Sequence, residues 1–389
     1  MLPSATAIYL DFQASTPVDP SVADSMCEWL RRGCGNPHSA EHAFGWAARE
    51  AVERARESVA ALVHTDAQDI VFTSGATEAN NLALFGVAAR APKGRDTIFV
   101  SAIEHASVIE PARALQGQGM RIVELPVDHE GRVQLEVLDR MLSNRVLLVS
   151  VGAVNNEIGT IQDLKAIGER CRAAGALLHT DAAQALSACG LPLGTLPVDL
   201  ASLSSHKAYG PGGIGALYVA PGHETRLSPQ LLGGAQQRGL RAGTLPTALC
   251  VGFGQACEIL ASTGTTERAR IALLRDRLWQ LLKAAIPGVT LNGPPDSSAR
   301  HPGNLNVAFG ELDARDIVQW LQPGLACSTG SACNSGSEEP SHVLSAIGHD
   351  ERRARSSVRL SLGRQTTSND VERAAALIEL AVAELLAFA

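Results

Sequence analysis

Aromatic side chains are scarce in this chain, 4 % of 389 residues, so leucine, alanine and valine have to fill the interior. A basic excess is missing too. The formal charge of −7 argues against a nucleic-acid or anionic-membrane surface and favours a small-molecule or protein partner. No run of 18 apolar residues occurs, and the opening MLPSATAIYLDF lacks a basic segment followed by an apolar stretch. Both absences predict a cytoplasmic protein with no membrane partner. The eight cysteines, at 27, 34, 171, 189, 250, 257, 327 and 333, contain no Cys-x-x-Cys pair. That excludes a zinc knuckle or a disulfide framework and predicts mostly buried, small apolar side chains, with Cys333 set apart below.

What is present suits a well-packed enzyme. Hydrophobic residues make up 45 % and charged residues 19 %, and the length exceeds what one core usually organises, so a large and a smaller domain are expected. From about 69 to 220, β-rich runs at 69–73, 97–103, 121–127, 145–154, 176–181, 200–204 and 214–219 alternate with helical spacing at 77–90, 106–119 and 164–174. This is an α/β pattern, a mainly parallel seven-stranded sheet with crossover helices. Helical pattern continues from Pro246 to about 285, strands follow at 304–309 and 358–362, and a terminal helix over 369–386 carries Val371, Ala374, Ala375, Ile378 and Leu385 on one face. These predict a small α+β domain beginning near residue 255. The segment 327–340, C-S-T-G-S-A-C-N-S-G-S-E-E-P, reads as an exposed loop.

Three segments carry chemistry. In S-S-H-K-A-Y-G-P-G-G-I-G, 204–215, Lys207 follows a predicted strand and enters a glycine-rich turn, a place where a lysine amine can form a Schiff base. In H-T-D-A-A-Q, 179–184, Asp181 ends the preceding strand, where a carboxylate can keep a pyridine nitrogen protonated. In S-G-A-T-E-A-N-N, 74–81, a glycine turn opens a helix whose first N–H groups, with the Thr77 hydroxyl, attract phosphate. Each has an ordinary alternative: a solvated lysine, a helix N-cap, a capped turn.

Those three segments stand in order with Y-L-D-F-Q-A-S-T-P (9–17), G-N-P-H-S (35–39), E-H-A-S-V (104–108), N-N-E-I-G (155–159), R-G-L-R-A-G-T-L-P (238–246), S-T-G-S-A-C (328–333) and S-V-R-L-S-L-G-R (357–364). Together they resemble the cysteine desulfurases. The resemblance implies a fold-type I, class-V aminotransferase-like enzyme with pyridoxal 5′-phosphate (PLP) as cofactor. It further implies a homodimer, a large domain over 17–255, and a small domain built from 1–16 and 256–389. Lys207 would hold PLP covalently, Asp181 face its ring nitrogen, Gln184 its ring hydroxyl, and His105 stack on the ring. Thr77, Ser204 and His206 would hold the phosphate, with Thr244 reaching it from the other subunit, and Ala76 would contact the cofactor. Asn156 would lie beside the ring, Arg359 would grip the carboxylate of L-cysteine, and Cys333 would accept the sulfur. The residues after Cys333 resemble the long-loop class, whose members hand sulfur directly to an acceptor.

The expected activity converts L-cysteine to L-alanine and delivers sulfur to an iron–sulfur scaffold or to another thio-cofactor or tRNA pathway. Selenocysteine lyase is the nearest alternative, since its substrate differs only in the chalcogen; a non-catalytic interaction homologue is another. The segment differs from family habit at Phe12, Gln13 and Gly212, none of which enters the chemistry. Cys327 is expected as buried filler. No metal site is expected, and His38 and His42 belong to the G-N-P-H-S loop and the following helix.

Overall fold

A computed structural model describes residues 7–330 and 340–388. In chain order its elements begin with β1 (Ile8–Tyr9), α1 (Pro20–Arg32), α2 (Ala43–Leu62), β2 (Ile70–Thr73), α3 (Ala76–Ala88), β3 (Thr97–Ser101), α4 (Ala106–Gln116) and β4 (Arg121–Leu125). They continue with α5 (Leu135–Met141), β5 (Val146–Ser150), α6 (Leu164–Ala173), β6 (Leu177–Asp181), α7 (Ala185–Ala188), β7 (Leu200–Ser204) and β8 (Gly215–Val219). The last part comprises α8 (Thr247–Ala285), β9 (Thr290–Leu291), β10 (Asn304–Ala308), α9 (Ala314–Trp320), β11 (Leu325–Ala326), α10 (His342–Ala346), α11 (Glu351–Arg355), β12 (Ser357–Ser361) and α12 (Ser368–Phe388).

Seven strands form one sheet in the order β2-β8-β7-β6-β5-β3-β4. It is the mainly parallel α/β sheet expected from the sequence. Only β8 runs against its neighbours, because the connection 205–214 that precedes it is too short for a crossover helix. β3 and β5 stop earlier than their apolar runs do, at Ser101 and Ser150. Beyond them the chain leaves the ladder while staying buried, as Ile103 and Val154 do.

Apolar side chains pack on both faces of this sheet. A separate apolar cluster joins Ile8 and Leu10 to the far half of α8, to β10 and β12, and to Val371, Ala374 and Ile378 of α12. Cys250 and Phe253 near the start of α8 belong to the sheet's core, whereas Leu278 and Leu282 near its end belong to the separate cluster. β12, β10 and β9 make a small antiparallel sheet, and β1 pairs in parallel with β11. Cys171, Cys250 and Cys257 are buried as expected, but Cys27 and Cys34 are exposed: α1 buries only Val22 and leaves its cysteine outside. No helix among the described residues is long and apolar enough to cross a membrane.

Candidate active site

β2, β3, β5, β6 and β7 all end at the same edge of the sheet. In open α/β sheets that carboxyl edge is where ligands bind, because the loops leaving it diverge and expose backbone donors. Here the loops enclose a cavity of about 470 Å³. Ala76 and Thr77 line it from the end of β2, Glu104 and His105 from β3, and Asn156 from β5. Asp181 and Gln184 enter from β6, and Ser204, His206 and Lys207 from β7.

One end of the cavity suits an anion. α3 starts after Gly75 with no side chain capping its first turn, so its leading N–H groups are available. Close packing sets their position: a Cβ on Gly215 would come within 2.7 Å of the Gly75 Cα and 2.4 Å of the Leu203 oxygen. Glu78 steadies the turn, accepting from Ser74 N at 2.7 Å and from Arg241 Nε at 2.8 Å. Burial raises the Glu78 pKa, but these bonds to Arg241 and Ser74 outweigh it and the net shift is downward. Arg241 ties the 238–246 segment to the same turn.

The other end is built around Asp181. Its Oδ2 accepts from Asn80 Nδ2 at 2.8 Å and its Oδ1 from Ala183 N at 2.9 Å. The same Asn80 amide meets Ser107 Oγ at 2.9 Å, and that hydroxyl lies 2.8 Å from His105 Nδ1. Because Ser107 N also donates to His105 Nδ1, at 3.1 Å, that ring nitrogen is an acceptor and the imidazole is neutral. Burial lowers the His105 pKa, Lys207 and His342 lower it further, and only Asp181 opposes them. Gln184 Nε2 donates to the Gln13 carbonyl at 2.9 Å, which orients its amide from outside the cavity.

Glu104 is the site residue that sequence reasoning passed over. It is 3 % exposed, its Oε1 accepts from Gly152 N at 2.7 Å, and its Oε2 is buried without a partner. Burial pushes its carboxyl up to about 8 and Asp181 adds to the rise, against the Gly152 bond. The unfolded chain loses this proton near 4.5 while the folded chain keeps it, so the group's contribution to stability falls as pH rises from there toward 8. Melting of Glu104→Gln against wild type, both loaded with cofactor, should therefore show a difference moving in the variant's favour between pH 5 and 8. A difference that stays flat contradicts the assignment. Glu104, Asn80 and Ser107 all lie inside quoted motifs, yet nothing in those strings says which neighbours they meet.

The turn that carries Lys207 is held by its backbone. Thr16 N and Oγ1 donate to the His206 carbonyl at 2.9 and 3.0 Å, and Tyr209 N donates to Thr16 Oγ1 at 2.8 Å. Tyr209 adopts a φ of 62°, a strained value for a non-glycine residue. It is pinned there by Arg364, whose guanidinium stacks 4.1 Å from the ring and whose N–H donates to the phenol oxygen at 2.8 Å. Burial lowers the His206 pKa and Lys207 adds to the effect.

Two expected residues among those described, Arg359 and Thr244, are not in the cavity wall. Arg359 lies behind Asn156, donating to its carbonyl at 3.0 Å and pairing with Asp11 at 2.6 Å, with its Nε buried and unpartnered. Thr244 faces solvent on the loop tied to Glu78. Cys333 lies outside the described residues. Cys327 packs against the separate apolar cluster, and burial, helped by Asp11, pushes its thiol up to about 12, as filler would be. Gln13 and Phe12 are absorbed into packing: Gln13 Oε1 accepts from Asn304 at 2.6 Å, and the Phe12 ring fills the space a side chain on Gly363 would need.

Residues 8–374 match the family model of the class-V aminotransferases. The chain is 43 % identical over 371 residues to the cysteine desulfurase IscS of Rickettsia bellii, covering 95 % of this chain and 90 % of that one. It is 42 % identical over 365 residues to a probable mitochondrial cysteine desulfurase of Dictyostelium discoideum, covering 94 % and 80 %. A solved NifS-like protein superposes with a TM-score of 0.90 at 34 % identity, covering 98 % of this chain and 100 % of the other. The donor set fits the cofactor of such enzymes, PLP: uncapped helix N–H groups for a phosphate at one end, a braced carboxylate for a pyridinium at the other, and a lysine at the wall between. On these grounds the chain belongs to the class-V aminotransferase family and, within it, to the PLP-dependent cysteine desulfurases.

Proposed function

We propose that this chain works in the cytoplasm as a homodimer of the long-loop class, taking sulfur from free L-cysteine and passing it through a Cys333 persulfide to an acceptor protein such as an iron–sulfur scaffold. The convergence of Lys207, Asp181, Gln184 and His105 on one cavity with an uncapped helix N-terminus carries this reading. The separate apolar clusters support a division into a large part, 17–255, and a small part from 1–16 and 256–389, with α8 shared.

PLP, when bound, supplies an electron sink conjugated to the substrate's amino nitrogen. Lys207 would hold the cofactor, and its amine, when free, would take the proton from the substrate Cα. Asp181, braced by Asn80 and Ala183, would face the ring nitrogen, Gln184 would meet the ring hydroxyl, and His105 would lie against the ring. Thr77, Ser204 and His206 would hold the phosphate, with Ala76 also touching the cofactor. The Cys333 thiolate then forms an S–S bond to the substrate sulfur as the Cβ–S bond breaks. Cβ gains the electron pair that sulfur gives up, and then a proton, so alanine leaves with no outside oxidant.

Arg359, which lies behind Asn156 rather than in the cavity wall, would reach the substrate carboxylate past Asn156. Its buried, unpartnered Nε is the donor left over once Asp11 and the Asn156 carbonyl are served. Arg359→Ala should lower kcat/KM for cysteine by roughly 2–5 kcal/mol, the cost of truncating one partner of a buried charge pair, while the variant still takes up PLP. An unchanged kcat/KM rejects the assignment.

The dimer rests on Thr244 reaching the neighbouring phosphate. Leu232 at 84 % and Phe44 at 63 % exposed supply apolar surface for such contact. Sedimentation at assay concentration should give a dimer, and a fully active monomer overturns this part. Alanine and protein-bound sulfur, measured together after one turnover without reductant, test the whole reading: they should appear in equal amounts.

A further inference from the structure

Glu157 is 1 % exposed and has no part in the chemistry above. Its peptide is fixed, because its carbonyl accepts from Asn304 Nδ2 at 2.9 Å and from Asn306 Nδ2 at 3.1 Å, both on β10. Its side chain meets the two stems that flank 331–339. Ser341 Oγ donates to Glu157 Oε2 at 2.6 Å. On the other stem, Gly330 lies so close that a Cβ there would stand 3.0 Å from the same oxygen. Each stem is also tied toward the substrate end of the cavity. Ser328 and Arg359 exchange backbone bonds at 3.1 and 2.7 Å, and His342 Nε2 lies 3.0 Å from the Glu104 carbonyl. A second cavity, about 810 Å³, runs past Glu157, Pro340 and His342 and shares Glu104, His105 and Asn156 with the first.

We infer that Glu157 is a positioning residue for the sulfur-transfer step: one carboxylate oxygen bonds the stem that follows the Cys333 segment and packs against Gly330 on the stem that precedes it, beside the turn whose neighbour, Asn156, faces the cofactor cavity. The inference rests on Cys333 as the sulfur acceptor. Buried and aimed at a hydroxyl, the carboxylate makes a charge-assisted bond of the stronger kind. Its backbone is locked by β10, so the stems are referred to a rigid part of the fold rather than to each other. Neither stem touches Lys207 through this contact, which separates transfer from proton abstraction.

The test compares two steps in the cofactor-loaded enzyme. Glu157→Ala should slow the appearance of extra sulfur on Cys333, followed by mass spectrometry in single turnover, by roughly tenfold or more, the scale of a lost charge-assisted hydrogen bond. The same variant should keep wild-type exchange of the substrate Cα hydrogen with deuterated solvent and its wild-type spectral response to cysteine. Glu157→Gln, which retains an acceptor for Ser341, should recover much of the rate, and the losses in Glu157→Ala and Ser341→Ala should not add in the double variant. Should Glu157→Ala fail to fold, Glu157→Gln and Ser341→Ala carry the comparison. Equal losses in exchange and transfer, or a transfer rate within about twofold of wild type, overturn the inference. A wild-type enzyme that carries no sulfur on Cys333 rejects the proposed function instead.

Discussion

Lys207→Ala should reduce alanine release from cysteine by roughly 10⁴-fold or more, the scale on which loss of a covalent catalyst is felt, while leaving far-UV circular dichroism unchanged. Folding survives because the turn is anchored through main-chain atoms. Thr16 holds the His206 carbonyl and the Tyr209 N–H, and Arg364 holds the Tyr209 ring. Truncating the lysine side chain removes none of these bonds. The purified variant should also lack the absorbance near about 400 nm that a lysine-bound PLP gives. A variant that still produced alanine at the wild-type rate would defeat the assignment.

Cys333→Ser should cost as much in alanine production, yet leave the spectral change on adding cysteine intact, since binding and Cα chemistry precede sulfur attack. Cys327→Ser should retain most activity. The contrast follows from ionisation: a working acceptor must be thiolate near neutral pH, whereas burial pushes Cys327 up to about 12. Peptide mapping after cysteine treatment without reductant should find the extra sulfur on Cys333. Sulfur on Cys327 with none on Cys333 would reverse the order of the mechanism.

The central sheet was legible because its strands are short, mostly buried apolar runs, and such runs need no distant partner to be read. The two-residue pair β1 and β11 was not, since its only signal is a parallel register between Ile8 and Leu325, far apart in the chain. The helix after G-N-P-H-S was expected without bounds and α1 not at all, although α1 has Asp19 accepting from Ser21 N and a proline in its first turn; α2 is capped by the imidazole of His42, an uncommon cap. The cavity's chemical residues could be named from motif order, but their supports could not. Asn80 serves Asp181 across 101 residues, and Glu104 finds Gly152 across 48. Spacing along a strand says which face a residue takes, never which loop will close over it. The burial of Arg359 behind Asn156 was invisible for the same reason.

The clamp on the lysine turn has a consequence for how the protein is made. Thr16 is synthesised well before the turn it meets, 190 positions on; Gln13, three residues away, waits for Ser361, 348 positions on. Arg364, which seats Tyr209, emerges later still. A nascent chain can therefore complete its seven-stranded sheet while the lysine turn is still without its final braces. Contacts closed across such separations are slow to form, so cofactor capture waits until β12 and Arg364 have been made, and a ribosome-stalled chain ending before β12 would carry the lysine without the seat that aims it.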